Sequence, residues 1–199
     1  MPKSDATYPV SDSQLVHQAR AGDAPAFDEL VLRYRKKVYR MALGMARNHS
    51  DADDIAQETF LRAYQALPRF NDAYEFKTWL FRIAANTGIN ILKRKARQVE
   101  TSFEEKAELG LVQPASPDNP GTDLEQKELR LTIDRAVRDL SPKLQTVWVL
   151  RTAEDLSYDD IARVMKISMG TVMSRLSRAR EHLRHALTEY IRANGDQAR

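Results

Sequence analysis

The sequence predicts an all-α fold: two small helical domains joined by a flexible acidic linker. Three observations carry this. Apolar residues recur at helical spacing along most of the chain, and no stretch alternates as a strand would. Helix-start signals stand just ahead of those periodic stretches. One segment, residues 100–128, breaks the pattern with Pro114, Pro117, Pro120 and Gly121, and its eight acids against two lysines leave a net charge of −6. The expected units are residues 11–97, a linker over 98–122, and residues 123–190.

The elements follow in order. Ser11 with Gln14 makes a capping box for a short first helix that Gly22 stops. Asp23 caps the second, with Pro25 in its first turn. Phe27, Leu30, Val31, Tyr34, Val38, Met41, Ala42 and Met45 form its apolar face. Ser50 and Asp53 start a third helix, which Pro68 follows closely, and a loop spans 69–75. A fourth helix extends from Phe76 to about Arg97. Beyond the linker, Thr122 with Glu125 forms a capping box, Ser141-Pro142 opens the next helix, and Ser157 with Asp160 caps another.

Composition removes several classes of function. The 199 residues contain no cysteine, which excludes disulfides, thiolate metal sites and cysteine nucleophiles. No apolar run approaches the ~20 residues of a membrane span. The polar stretch Met1 to Val10 is unlike a signal peptide, so the expected location is the cytoplasm, without membrane insertion. Asp51, Asp53 and Asp54 sit in the first turn of a helix, where they complement its dipole, and no calcium-loop glycine follows. His182 and His185 lack further ligands nearby in sequence. Without a phosphate loop or a nucleophile motif either, no enzyme activity, metal or cofactor is expected.

The remaining chemistry is that of binding. From Ser157 to Arg184 two helices flank the turn Lys166-Ile167-Ser168, a helix-turn-helix pattern. Val172, Leu176, Ala179 and Leu183 point inward along the second helix. Ser174, Ser177 and Arg178 lie opposite them, with Met173 and Arg180 on one flank and Arg175 on the other. Between Arg163 and Arg184, six basic residues stand against the single acid Glu181. Serines allow close approach to a major groove, while arginines reach phosphates or guanine edges. Lys166 occupies a turn position where a left-handed conformation costs a non-glycine residue on the order of 1 kcal/mol.

In the N-terminal unit, the third helix presents Asp54, Gln57, Glu58 and Leu61 away from its apolar stripe. The fourth presents Trp79, Arg82, Asn86, Asn90, Lys93 and Arg97 away from Leu80, Ala84, Thr87 and Ile91. Phe70, Tyr74 and Phe76 rim the preceding loop. Rings that stack on bases, amides that read their edges and cations that hold phosphates are what unstacked nucleic acid requires.

These blocks together resemble the extracytoplasmic-function (group IV) sigma factors of the sigma-70 family. The residues from Ser50 to Phe60 and from Phe76 to Thr87 are similar to conserved region two. Those from Leu156 to Ala162 and from Gly170 to Arg180 are similar to region four. The resemblance implies a region 2 bundle and a region 4 helix-turn-helix, with bacterial core RNA polymerase, promoter DNA and an anti-sigma factor as partners. Asp54, Gln57, Glu58 and Leu61 would dock on the clamp coiled coil of the polymerase's largest subunit. The 69–75 loop, with Phe70, Tyr74 and Phe76, would capture a base flipped from the minus-ten element. Trp79, Arg82, Asn86, Asn90 and Lys93 would line the path of the non-template strand. Met173, Ser174, Ser177 and Arg178, with Ser168, Thr171 and Arg175 beside them, would meet the minus-thirty-five element. The linker acids would lie near the active-site and RNA-exit path.

Two residues depart from the pattern: Met173 stands where a lysine or arginine is frequent, and Lys166 where the turn glycine is usual. A stand-alone helix-turn-helix regulator is the alternative reading, and it leaves the N-terminal unit without a use.

Overall fold

The computed structural model describes residues 10–102 and 124–195, and all regular structure among them is helical. Its α-helices are α1 (Asp12–Arg20), α2 (Ala24–Ala46), α3 (His49–Ala66), α4 (Phe76–Ser102), α5 (Leu124–Arg138), α6 (Pro142–Thr152), α7 (Tyr158–Met165) and α8 (Met169–Gly195). A 3-10 turn, Leu67–Arg69, closes α3. Most of the expected linker, and the Thr122–Glu125 capping box, lie outside the described residues. The fourth helix runs five residues beyond its expected end, to Ser102.

Capping side chains set some of the helix limits and left-handed backbone residues set others. The Ser11 hydroxyl accepts from the Gln14 amide at 3.2 Å while the Ser11 amide donates to Gln14 Oε1 at 2.9 Å, the reciprocal box expected. Asp23 sits at the N-cap of α2, but its side chain makes no capping bond. Ser141 likewise caps α6 by position alone. The start of α3 corrects the expectation of Ser50 and Asp53. Asn48 is the N-cap, its Oδ1 accepting from the Asp51 amide at 2.8 Å. Arg47 takes a left-handed conformation (φ 60°), which ends α2 and turns the chain into α3 at once. Ser157 caps α7 as expected, and Lys166 is left-handed (φ 51°), as its place in the turn requires.

In the N-terminal half α2 packs against α1, α3 and α4. Leu30, Val38, Met41 and Met45 of α2 meet Leu80, Phe81 and Ala84 of α4 in one apolar cluster. Each such side chain taken fully out of water contributes roughly 1.5–3 kcal/mol relative to exposure. In the C-terminal half α8 lies across α5, α6 and α7, with Ala136, Val137 and Leu140 of α5 against Ala179 and Leu183.

The halves share a seam. α6 packs on α2 and α4, and α7 packs on α4, so that Val147, Val149, Leu150, Ile161 and Val164 join the cluster of the N-terminal half. Gly44 permits the approach: a Cβ there would lie 2.8 Å from a Val149 methyl. Arg40 bonds both oxygens of Glu154 at 2.8 and 2.9 Å, and the Glu154 side chain is 2% exposed. Arg47 reaches Asp134 at 2.8 Å; burial pushes its guanidinium below the usual arginine range, opposed by the Asp134 charge. The Arg47 Nε is buried with no hydrogen-bond partner.

Candidate partner face and nucleic-acid interfaces

The expected partner residues of α3 gather in one shallow depression. Asp54, Gln57, Glu58 and Leu61 line it, together with Arg62 from α3 and with Ile91 and Arg94 from α4. Leu61 is 53% exposed, an apolar group left on an acidic face. Arg62 bonds Glu58 at 2.6 Å, one helical turn away. Lys95 of α4 pairs with Asp51 and lies 3.8 Å from Asp54, which ties the start of this face to α4.

The loop before α4 is built around Asn71. Its Oδ1 accepts from the Ala73 amide at 2.9 Å, its carbonyl accepts from Tyr74, and Arg20 of α1 holds Asp72 at 3.0 Å. Under this loop lies a cavity of about 450 Å³, lined by Asp12, Tyr34, Phe70, Tyr74, Phe76 and Lys77 among others. Tyr74 stands out into solvent. The Tyr34 hydroxyl donates to Asp12, and Asp12 also accepts from Arg33 at 3.0 Å. Burial first, and the Asp12 bond next, push the Tyr34 phenol above its usual range, so it stays a neutral donor at physiological pH.

Here the structure corrects the expected exposed stripe. Phe70, Phe76 and Trp79 are buried, Trp79 with 9% of its surface exposed. Phe70 and Trp79 meet edge to face with centroids 5.0 Å apart, Phe76 and Trp79 lie at 5.6 Å, and Tyr34 joins Phe76 at 5.5 Å. Tyr34, Phe70 and Phe76 line the cavity, Trp79 packs against Phe70 and Phe76 behind it, and together the rings hold the start of α4 onto α1 and α2. Further along α4 the row opens: Asn86, Asn90 and Lys93 are exposed and Arg82 is half-buried. No hydrogen bond or ion pair engages these four side chains among the described residues. Arg97, in the same row, is exposed.

The second helix of the helix-turn-helix is the N-terminal part of α8. Val172, Leu176, Ala179 and Leu183 are buried as expected. Ser174, Ser177 and Arg178 are exposed, Arg175 is half-buried, and Met173 is 54% exposed. Ser168 caps the helix, its Oγ accepting from the Thr171 amide at 3.2 Å and sharing a 2.9 Å bond with the Thr171 hydroxyl. Ser174 donates to the Thr171 carbonyl at 3.1 Å. Of the basic residues, Arg180 turns back to the Tyr158 hydroxyl at 3.3 Å, and this contact lowers the phenol's pKa. Arg163 and Arg184 pair with Asp160 and Glu181 at 3.6 and 3.8 Å. Lys166, Arg175 and Arg178 have no partner among the described residues.

Both halves match models of one family: residues 30–98 match Sigma-70 region 2, and residues 130–183 match Sigma-70, region 4. The RNA polymerase sigma-H factor of Pseudomonas aeruginosa is 39% identical over 185 residues, which is 91% of this chain and 96% of that protein. The ECF RNA polymerase sigma-E factor of Salmonella typhimurium is 35% identical over 189 residues, 92% of this chain and 97% of that protein. The chain belongs to the extracytoplasmic-function sigma factors. Like them it directs bacterial RNA polymerase to promoters and starts transcription. Among solved structures, the sigma factor RpoE of Bartonella quintana, in complex with the anti-sigma factor NepR, superimposes with a TM-score of 0.62 at 26% identity. That likeness covers 81% of this chain and 96% of the other.

In this sigma factor, region 2 comprises most of α2, with α3 and most of α4; region 4 comprises most of α5 with α6, α7 and the first half of α8. Sequence reasoning missed the α4 contribution to the α3 face (Ile91, Arg94, Lys95) and the Asp12–Tyr34–Arg33 network at the cavity. Glu58 to Arg62 carried a signal, an acid four residues before a base. The others carried none, because they join residues 21 or more apart in the chain.

Proposed function

We propose that the three surfaces divide the work of initiation. The α3 face, through Asp54, Gln57, Glu58 and Leu61, grips the clamp coiled coil of core polymerase. The cavity under the 70–75 loop receives one base of the minus-ten element. The row Arg82, Asn86, Asn90 and Lys93 carries the displaced non-template strand, with cations on phosphates and amides on base edges. Phe70 and Phe76 act there as a rigid floor, backed by Trp79, rather than as exposed stacking faces. The second helix of region 4 enters the major groove at the minus-thirty-five element. The sigma factor acts in the cytoplasm on promoters of an envelope or environmental stress response, restrained by an anti-sigma factor, and performs no catalysis of its own. A relative of the same architecture was solved with such an inhibitor bound.

The observation that carries this reading is the partnerless polar row of α4, on the helix whose first turn lines a cavity large enough to admit a nucleobase. A stand-alone duplex-binding regulator has no use for either feature. Two variants test it together. Asn86→Ala is expected to lower open-complex formation about tenfold while leaving core binding unchanged, and Glu58→Ala to weaken pull-down of core enzyme with no DNA present. If Asn86→Ala weakens core binding as much as it weakens opening, the strand path is misplaced. If the wild-type chain fails to bind core and instead shifts duplex promoter alone, the regulator reading replaces this one.

A further inference from the structure

The groove-facing side of α8 contains an apolar pair that the helix itself does not use. Met169 and Met173 are 48% and 54% exposed, one helical turn apart. Neither side chain belongs to an apolar cluster among the described residues, whereas Val172 and Leu176, each three residues further along and turned more inward, do. An isolated exposed methionine is unremarkable on a protein surface. Two in register, at the start of a helix flanked by Lys166, Arg175 and Arg178 without partners, occupy the part of the motif that approaches bases.

The polar residues around this pair have fewer free groups than the sequence promises. The Ser168 and Thr171 hydroxyls bond each other at 2.9 Å, and Ser174 donates its hydrogen to the Thr171 carbonyl at 3.1 Å. The first turns of α8 therefore hold three of their hydroxyls on the helix and offer thioethers outward. In the major groove the apolar group available to meet them is the thymine C5 methyl; the other base edges present hydrogen-bond donors and acceptors. Placing a methionine against those edges would strip water from them and return nothing.

We infer that Met173, with Met169 beside it, is a specificity-determining contact for thymine methyl groups in the minus-thirty-five element. Four helical residues rise about 6 Å, and successive bases on a strand rise about 3.4 Å, so the pair spans thymines within two steps of each other. Hydrogen-bonding readout falls to Ser177 and Arg178, about one turn further along. This inference rests on the placement of α8 in the minus-thirty-five major groove given above.

The test uses holoenzyme, assembled from core polymerase and the full chain, to select minus-thirty-five elements from a promoter library randomised there. Each thymine of a selected element, on either strand, is then replaced by deoxyuridine, which removes the methyl and nothing else. Loss of one buried methyl corresponds to roughly a fourfold fall in promoter binding. The expected result is such a fall at one or two neighbouring positions for wild-type holoenzyme. Met173→Ser should bind more weakly at those positions and be insensitive to the swap there. Selected elements without thymine, wild-type indifference to every swap, or a Met173→Ser holoenzyme as sensitive as wild type would each overturn the inference. Failure of the underlying placement reads differently: Arg178→Ala would then leave minus-thirty-five dependence untouched, whatever the methyl swaps do. Met173 packs in no core, so the variant is expected to fold, which a circular dichroism melt checks.

Discussion

α4 and α8 are both 27-residue helices that carry cations and small polar groups along one side, yet they treat their large side chains in opposite ways. α4 buries Phe76 and Trp79, which its own periodicity or loop context places at the surface; α8 exposes Met169 and Met173. The cause is the number of neighbours. α8 is covered by α5, α6 and α7, so its outer side is the one its spacing indicates. α4 is packed by α1, α2, α3, α6 and α7, and its N-terminal turns have almost no free side. The consequence is functional. On the proposed reading, the covered start of α4 backs a cavity that receives one unstacked base, while the open side of α8 offers a row of exposed side chains to duplex.

The sharpest way to break that comparison is to truncate one large side chain from each helix. Trp79→Ala empties a site shared by Phe70 and Phe76, and such truncations cost about 3–5 kcal/mol. In a chain of this size that lowers Tm by on the order of 10 °C. Met173→Ala should change stability by less than about 0.5 kcal/mol. Thermal melts of the two variants side by side decide it: equal shifts would mean that the aromatic floor is no more structural than the reading face.

The same contrast explains what was legible in the sequence. Helix positions, the α7 cap at Ser157, the left-handed Lys166 and the inward row Val172, Leu176, Ala179 and Leu183 are all set by residues within a turn or two of each other. So is the four-residue face Asp54, Gln57, Glu58 and Leu61. The burial of Trp79 is set instead by Phe70 and by helices distant in sequence, and spacing carries no record of them. The start of α3 escapes local spacing for a related reason: Ser50 and Asp53 look like caps, but Arg47, three residues before Ser50, turns the chain and gives the role to Asn48. The seam between the halves had no local signature at all. It needs Gly44 under Val149 and Arg40 on Glu154, pairs more than a hundred residues apart.

That seam supplies a second test of crowding around α2 and α4. Glu154 has its side chain almost fully covered, and both of its oxygens are bonded by Arg40. Arg40→Ala would leave a covered carboxylate without its donor, a loss of about 1–3 kcal/mol. Chemical denaturation should register it, together with faster proteolysis of α6 as the halves part. Arg33 offers the control, since it too makes two carboxylate bonds, to Asp12 and Glu29, but wholly within the N-terminal half. Arg33→Ala should destabilise without freeing α6. Should both variants expose α6 equally, the Arg40 pair is not what fastens the seam.

The smallest effect separates two residues with the same backbone and different side-chain duties. Arg47 and Lys166 are both left-handed helix ends, at φ 60° and 51°. Glycine adopts this conformation without the roughly 1 kcal/mol strain of a side-chain-bearing residue. Lys166 is exposed and has no partner among the described residues, so Lys166→Gly removes strain and sacrifices no contact. A gain of up to about 1 kcal/mol is expected, less the greater freedom glycine gives the unfolded chain. Arg47→Gly relieves similar strain but deletes the 2.8 Å bond to Asp134 at the seam and the packing of a half-buried side chain. It should be neutral or destabilising. Urea titrations of both variants measure the difference, and a stabilised Arg47→Gly would mean that the Asp134 pair contributes less than the turn costs, leaving the apolar contacts and Arg40 to hold the halves together.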